Sequence, residues 1–165
     1  MSQQGVQELQ PGRRRKPPDP VLLERLAETG FLATEFGLHD HAEGIFDCLT
    51  RLRPGRPSPR IALAMVHARR GLLDQAIAEL ETLLETHPDC EIARAVLGTM
   101  LVHARRGGAV ELFEKIIADD TDAGAVSIAV SCIEQAREQE QSLQPAASSS
   151  LAYLRHYNVG PSATE

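Results

Sequence analysis

The chain has 165 residues, 4% of them aromatic and none of them Trp, and a formal net charge of -6. That length is enough for one domain with a modest core. The acidic balance argues against non-specific nucleic-acid binding, which needs a basic face to displace counterions, and the abundance of Ala and Leu suits closely stacked helices better than a β-sandwich.

Residues 1–20 carry four prolines, the run Arg13-Arg14-Arg15-Lys16 and almost nothing to bury, and are expected to form a disordered arm. The basic run suits either a solvated tail or contact with an acidic partner or membrane surface. No apolar stretch follows Met1, so no signal peptide is expected. The longest apolar windows, residues 61–68 and 95–104, are too short to cross a bilayer, and no membrane insertion is expected. Cys48, Cys90 and Cys132 lack C-x-x-C spacing and read as buried, reduced thiols of a cytoplasmic protein.

From Val21 to Glu138 the apolar pattern is helical nearly throughout, and it repeats. Gly30, Ala64 and Gly98 recur at one constant interval, and the same interval separates Gly37 from Gly71, Ala42 from Ala76, Phe46 from Leu80, Leu49 from Leu83, and Pro54 from Pro88. Each position has a physical role. The small residue lets two antiparallel helices approach, and the glycine ends the first helix where φ is positive. The alanine sits at the crossing point, the large apolar residue fills the space between helices, and the proline ends the second helix. The first helices are expected over Leu22–Phe36, Pro59–Arg70 and Glu91–Arg105.

The third copy is altered. HARRG at 67–71 recurs at 103–107, two positions later than the interval requires, while Ala109, Phe113 and Ile116 fall one position short of register. The reading is that the third first helix gains two residues and its turn loses three. Asp119-Asp120-Thr121-Asp122 replaces the closing proline, with Asp122 or Thr121 as a cap for a final helix over 123–138. The remainder, 139–165, reads as a flexible tail with a possible short helix in LAYLRHYNVG.

Nothing in the sequence carries catalytic chemistry. His39 and His41 have H-x-H spacing but no completing ligand, so no metal is expected. His67 and His103, in the two HARRG copies, suit packing or solvent. Gly107-Gly108 is a turn and no phosphate cradle, and Glu43, Glu79, Glu81 and Glu85 read as solvated charges. The chain is therefore read as non-enzymatic and without a cofactor.

The succession small residue, Gly, Ala, large apolar, Pro resembles the tetratricopeptide repeat, and the interval matches that unit's length of about 34 residues. That resemblance implies an all-α fold, a short solenoid of about three helix-turn-helix repeats (23–56, 57–90 and 91–122) with a C-terminal capping helix. In such a stack the first helices line a groove that holds a peptide. Placed on this chain, the groove positions are Ala27, Phe31 and Thr34; Ile61, Met65 and Ala68; and Ala95, Thr99 and Val102. They are mostly apolar and suit the greasy face of an amphipathic helix; the other reading is that neighbouring helices bury them.

LRP at 52–54, RRG at 69–71, DQAIAEL at 74–80 and DAGAVSIAVSCIE at 122–134 resemble the Hrp-type tetratricopeptide proteins of bacterial type III secretion and their needle-subunit chaperone relatives. The resemblance implies a cytoplasmic bacterial protein that shields an apolar helix of a secreted subunit or binds a co-chaperone. A scaffold that homo-oligomerises through the same surface is the alternative.

Overall fold

A computed structural model of the chain describes residues 18–143, which form seven α-helices and no strand. They are α1 (Pro20–Glu35), α2 (His39–Leu52), α3 (Ser58–Arg69), α4 (Leu73–Thr86), α5 (Glu91–His103), α6 (Ala109–Asp119) and α7 (Ala123–Leu143). Most of the expected arm and tail, including LAYLRHYNVG, lies outside the described residues. Each helix packs against its neighbours in chain order, α5 also packs extensively against α7, and α1/α3 and α3/α5 touch at their edges. No helix among the described residues is long and apolar enough to cross a membrane.

The helix pairs close on a small residue set against a large one. A Cβ added to Gly30 would lie 2.7 Å from Phe46 Cζ, and one added to Gly98 would lie 2.6 Å from Phe113 Cε1. In the middle pair the equivalent residues are Ala64 and Leu80, both completely buried in one core cluster. One extra methyl on the first helix is thus matched by a smaller side chain on the second. Three clusters result, built from α1–α3, α3–α5 and α5–α7. Ala42, Ala76 and Ala109 are all buried at the crossings.

The turns within the pairs reveal the true register of the third copy. After α1, Gly37 takes φ 72° and the Leu38 N–H donates to the Ala33 carbonyl; after α3, Gly71 takes φ 84° and Leu72 donates to His67. After α5 the same closure forms with Arg105 at φ 53° and Arg106 donating to Leu101. Arg105 follows Gly71 by the same interval as Gly71 follows Gly37, so the period holds through the end of α5. This corrects the sequence reading: α5 ends in register at His103, the repeat equivalent of Arg69 at the end of α3. The turn gains two residues, residues 104–108 against 70–72, and α6 begins three residues closer to its crossing alanine. The second HARRG is shifted relative to the structural closure, so its glycine falls too late and an arginine occupies the left-handed position.

The last helix is also longer than expected, with 139–143 continuing α7. Its extra turn is held by contact with α6. Gly108, the residue before α6, brings no side-chain cap. Instead Glu140 Oε1 accepts the backbone N–H groups of Gly108 (2.9 Å) and Val110 (3.2 Å), satisfying donors that a helix start leaves free. At the other end of α7, Asp122 caps as anticipated, accepting from Gly124 and Ala125 at 2.9 Å each. The buried Glu91 carboxylate accepts the Asp122 N–H at 3.1 Å and ties this cap to α5.

This packing has two measurable consequences. Gly98→Ala is expected to cost about 1–3 kcal/mol, the usual range for overpacking a core. Adding Phe113→Leu, which recreates the Ala64–Leu80 pairing, should recover most of that loss; chemical denaturation measures both, and no recovery would count against the contact. Arg105→Gly is expected to stabilise by about 0.5–1 kcal/mol, because a residue with a Cβ is strained in the left-handed region. A rise in Tm reads this directly, and Gly71→Ala should lower it.

Candidate partner-binding site

An apolar cleft of about 320 Å³ opens between α3, α5 and α7. Met65 forms its edge on α3, α5 contributes Val96, Thr99 and Met100, and α7 contributes Ser127, Ile128, Ser131 and Cys132. On α5 these residues follow the i, i+3, i+4 spacing of one helix face; on α7 Ile128 and Cys132 are one turn apart. Two of the hydroxyls are spent on their own helices: Thr99 donates to the Ala95 carbonyl (3.0 Å) and Ser131 to that of Ser127 (2.7 Å). The cleft therefore offers methyl, methylene and sulfur surface, with two flexible methionines able to adapt to an irregular occupant.

The nine residues expected to form a groove are divided by the structure. Met65, 37% exposed, and Thr99 meet in the cleft. Ala27 and Phe31 line a separate hollow of about 90 Å³ between α1, α2 and α3, where the Phe31 ring stands edge-on to Phe46 with centroids 5.1 Å apart. Ala68 is half-buried against the α3–α5 core. Thr34, Ile61, Ala95 and Val102 are buried. Their neighbours cover them: α6 and α7 close over Ala95 and Val102, Ile61 joins the α3–α5 cluster, and the Thr34 hydroxyl bonds the Gly30 carbonyl at 2.9 Å. The positions that sequence reasoning missed, Val96, Met100, Ile128 and Cys132, carried a signal in their i, i+4 spacing. What placed them in a cleft is the contact between α5 and α7.

A larger opening of about 600 Å³ lies between the α3–α4 turn and the end of α5, lined by Gly71–Gln75 and His103–Arg105. It is a gap between two polar turns, spanned by the Arg106–Asp74 ion pair at 2.8 Å. Leu72, Leu73 and Ala104 give it some apolar surface, but Asp74, Gln75, His103 and Arg105 interrupt it, and the smaller, more uniformly apolar cleft is the better candidate for an apolar partner.

Charged groups tie one helix pair to the next. Arg69 bonds Glu35 at 2.9 Å, and Arg70 bonds Glu43 at 2.7 Å and also pairs with Asp40. His67, which is buried, sets Nδ1 2.8 Å from Glu79 with Gln75 at 3.3 Å, and Glu43 lies 4.0 Å from Nε2. His67 lines neither the cleft nor the larger opening, so this network joins α2, α3 and α4. His103 is exposed and, with the register corrected, is the counterpart of Arg69 rather than of His67. On α7 the Arg137 guanidinium is held above its ordinary value, chiefly by its hydrogen bond to Glu114, with Glu134 adding to it. The three cysteines are free; Cys48 is exposed and Cys90 and Cys132 are half-buried, so the expectation of buried thiols does not hold. Among the described residues no group of three or more His, Cys, Asp or Glu is placed to hold a metal ion.

No protein-family model and no curated protein matches the chain.

Proposed function

We propose that this chain is a non-catalytic, tetratricopeptide-type module that holds an apolar helix of another protein in the cleft between α3, α5 and α7. The observation that carries the reading is the cleft itself: about 320 Å³, walled by Met65, Val96, Met100, Ile128 and Cys132. A helix bound there inserts two or three apolar side chains spaced at i, i+3 and i+4, the usual way a groove reads an amphipathic helix. The repeat assignment is supported by the constant interval between equivalent positions, the Gly–Phe and Ala–Leu crossings and the equivalent left-handed turns.

The resemblance of the LRP, RRG and DQAIAEL segments to Hrp-type secretion proteins supports a narrower role: a cytoplasmic bacterial chaperone or accessory protein of type III secretion. A secreted subunit that polymerises through an apolar helix is an aggregation hazard before export. A preformed apolar cleft hides that helix without any covalent step.

The test is co-expression with a small self-polymerising secretion subunit, followed by capture on the tagged chain. Met65→Glu is expected to abolish stoichiometric capture while helical circular dichroism stays unchanged and Tm shifts by no more than about 2 °C, as for a surface substitution. Collapse of the fold, or undiminished capture, would overturn the cleft as the binding site.

A further inference from the structure

The apolar cleft between α3, α5 and α7 has a match in the chain's own sequence. Residues 151–157, LAYLRHY, follow α7 and lie outside the described residues. At helical spacing Leu151, Tyr153, Leu154 and Tyr157 fall on one face, and Ala152, Arg155 and His156 on the other. That is the apolar face an amphipathic helix lays into a groove. Residues 1–17 hold no aromatic residue and offer only Val6 and Leu9 at such a spacing. We propose that segment 151–157 covers the cleft of its own chain, running antiparallel to α7, and that a client helix binds by displacing it. This rests on the reading of the cleft as a site for an apolar helix, and adds how access to that site is controlled.

Reach is the first support. α7 ends at Leu143, and Cys132 and Ile128 lie about 16 and 22 Å back along its axis at the helical rise. Residues 144–150 join Leu143 to Leu151 and span up to about 23–25 Å when extended. Among them Pro145 is a residue that ends a helix, which a reversal of direction requires. Leu151 can therefore come level with Cys132. A helix over 151–157 rises about 9 Å further, which brings Tyr157 level with Ser127. A tether this short holds the segment at an effective concentration on the order of millimolar. A contact with a dissociation constant of about 0.1 mM then keeps the cleft roughly nine-tenths covered.

The chemistry of the cleft is the second support. Met65, Met100 and Ile128 offer apolar surface to Leu154, and methionine sulfur makes favourable contacts with aromatic rings such as those of Tyr153 and Tyr157. At the level that Tyr157 reaches, Ser127 stands exposed at the rim. Its hydroxyl, unlike those of Thr99 and Ser131, makes no hydrogen bond to its own helix among the described residues. A tyrosine that buries its ring needs a polar partner or water for its hydroxyl, and this rim supplies both.

The chain has no Trp, and Tyr153 and Tyr157 are its two tyrosines, so tyrosine emission reports on this segment alone. In the full chain without client, acrylamide is expected to quench that emission severalfold less than in a synthetic peptide of residues 147–160. Met65→Glu should raise quenching to the peptide's level with helical circular dichroism unchanged. Full-chain quenching equal to the peptide's overturns the proposal, as does protection that survives Met65→Glu. A second readout leaves the cleft unaltered. Leu154→Cys is expected to form a disulfide with Cys132 within single chains on mild oxidation, located by peptide mapping; absence of that link overturns the placement. Leu154→Asp, which releases the segment, should tighten capture of the secretion subunit by about tenfold, the gain when a cleft roughly nine-tenths covered becomes free. Unchanged affinity overturns the control of access. The tyrosine and disulfide readouts use no client, so they stand if no subunit is captured, and an uncovered cleft leaves wild-type capture intact.

Discussion

The arrangement of the described residues depends on how closely the two helices of a pair approach, and that is decided by one small residue against one large one. Gly30 admits the ring of Phe46 and Gly98 that of Phe113, each at a distance no Cβ would tolerate. Ala64 with Leu80 solves the same volume problem with the methyl moved from one helix to the other. Interiors packed to crystal-like density transmit such a constraint. With the pairs close together, Ala42, Ala76 and Ala109 are buried at the crossings and the next helix can lie across both.

Close approach also fixes how the chain turns. A pair joined by a short link needs its first helix to stop abruptly, and the left-handed residue after each cap does this while satisfying a terminal carbonyl. The third pair meets the requirement with Arg105, a residue poorly suited to that backbone, and follows it with an extended turn through Gly107 and Gly108. The longer turn strips α6 of its first helical residues, and like α2 and α4 it starts without a side-chain cap from its own N-cap residue. An acceptor for its first N–H groups comes from Glu140, 30 residues beyond Val110 in α7. The extra length of α7 is thereby tied to a change in the turn before α6.

That last helix makes the cleft. Lying on both α5 and α6, α7 covers Ala95 and Val102 and brings Ile128 and Cys132 across from Met65. Val96, Thr99 and Met100 form the wall between them, on an α5 shared by two core clusters. At the opposite end no helix precedes α1 among the described residues, and Leu32, the repeat counterpart of the buried Val66 and Met100, is exposed. Among the described residues the two ends of the helix array thus differ: α7 packs as a seventh, unpaired helix on α5 and α6, while the array begins with α1 of the first pair.

The sequence by itself determined what depends on near neighbours and on the period. The helix pairs, the positive φ of Gly37 and Gly71, the Asp122 cap and the crossing residues were all legible, because each follows from residue type at a fixed local spacing. Met65 and Thr99, two of the expected groove positions, line the α3–α5–α7 cleft. Tertiary structure decided the rest. The second HARRG is a similar word in a different register, and only the backbone of α5 shows that Arg105 holds the glycine's position. Glu140 was unreadable as a cap since its partners lie 30 and 32 residues away. Thr34, Ile61, Ala95 and Val102 have the same apolar or small character as true cleft residues, yet they are buried. Whether such a side chain meets solvent or a neighbouring helix is set by elements far along the chain, and local spacing carries no record of them.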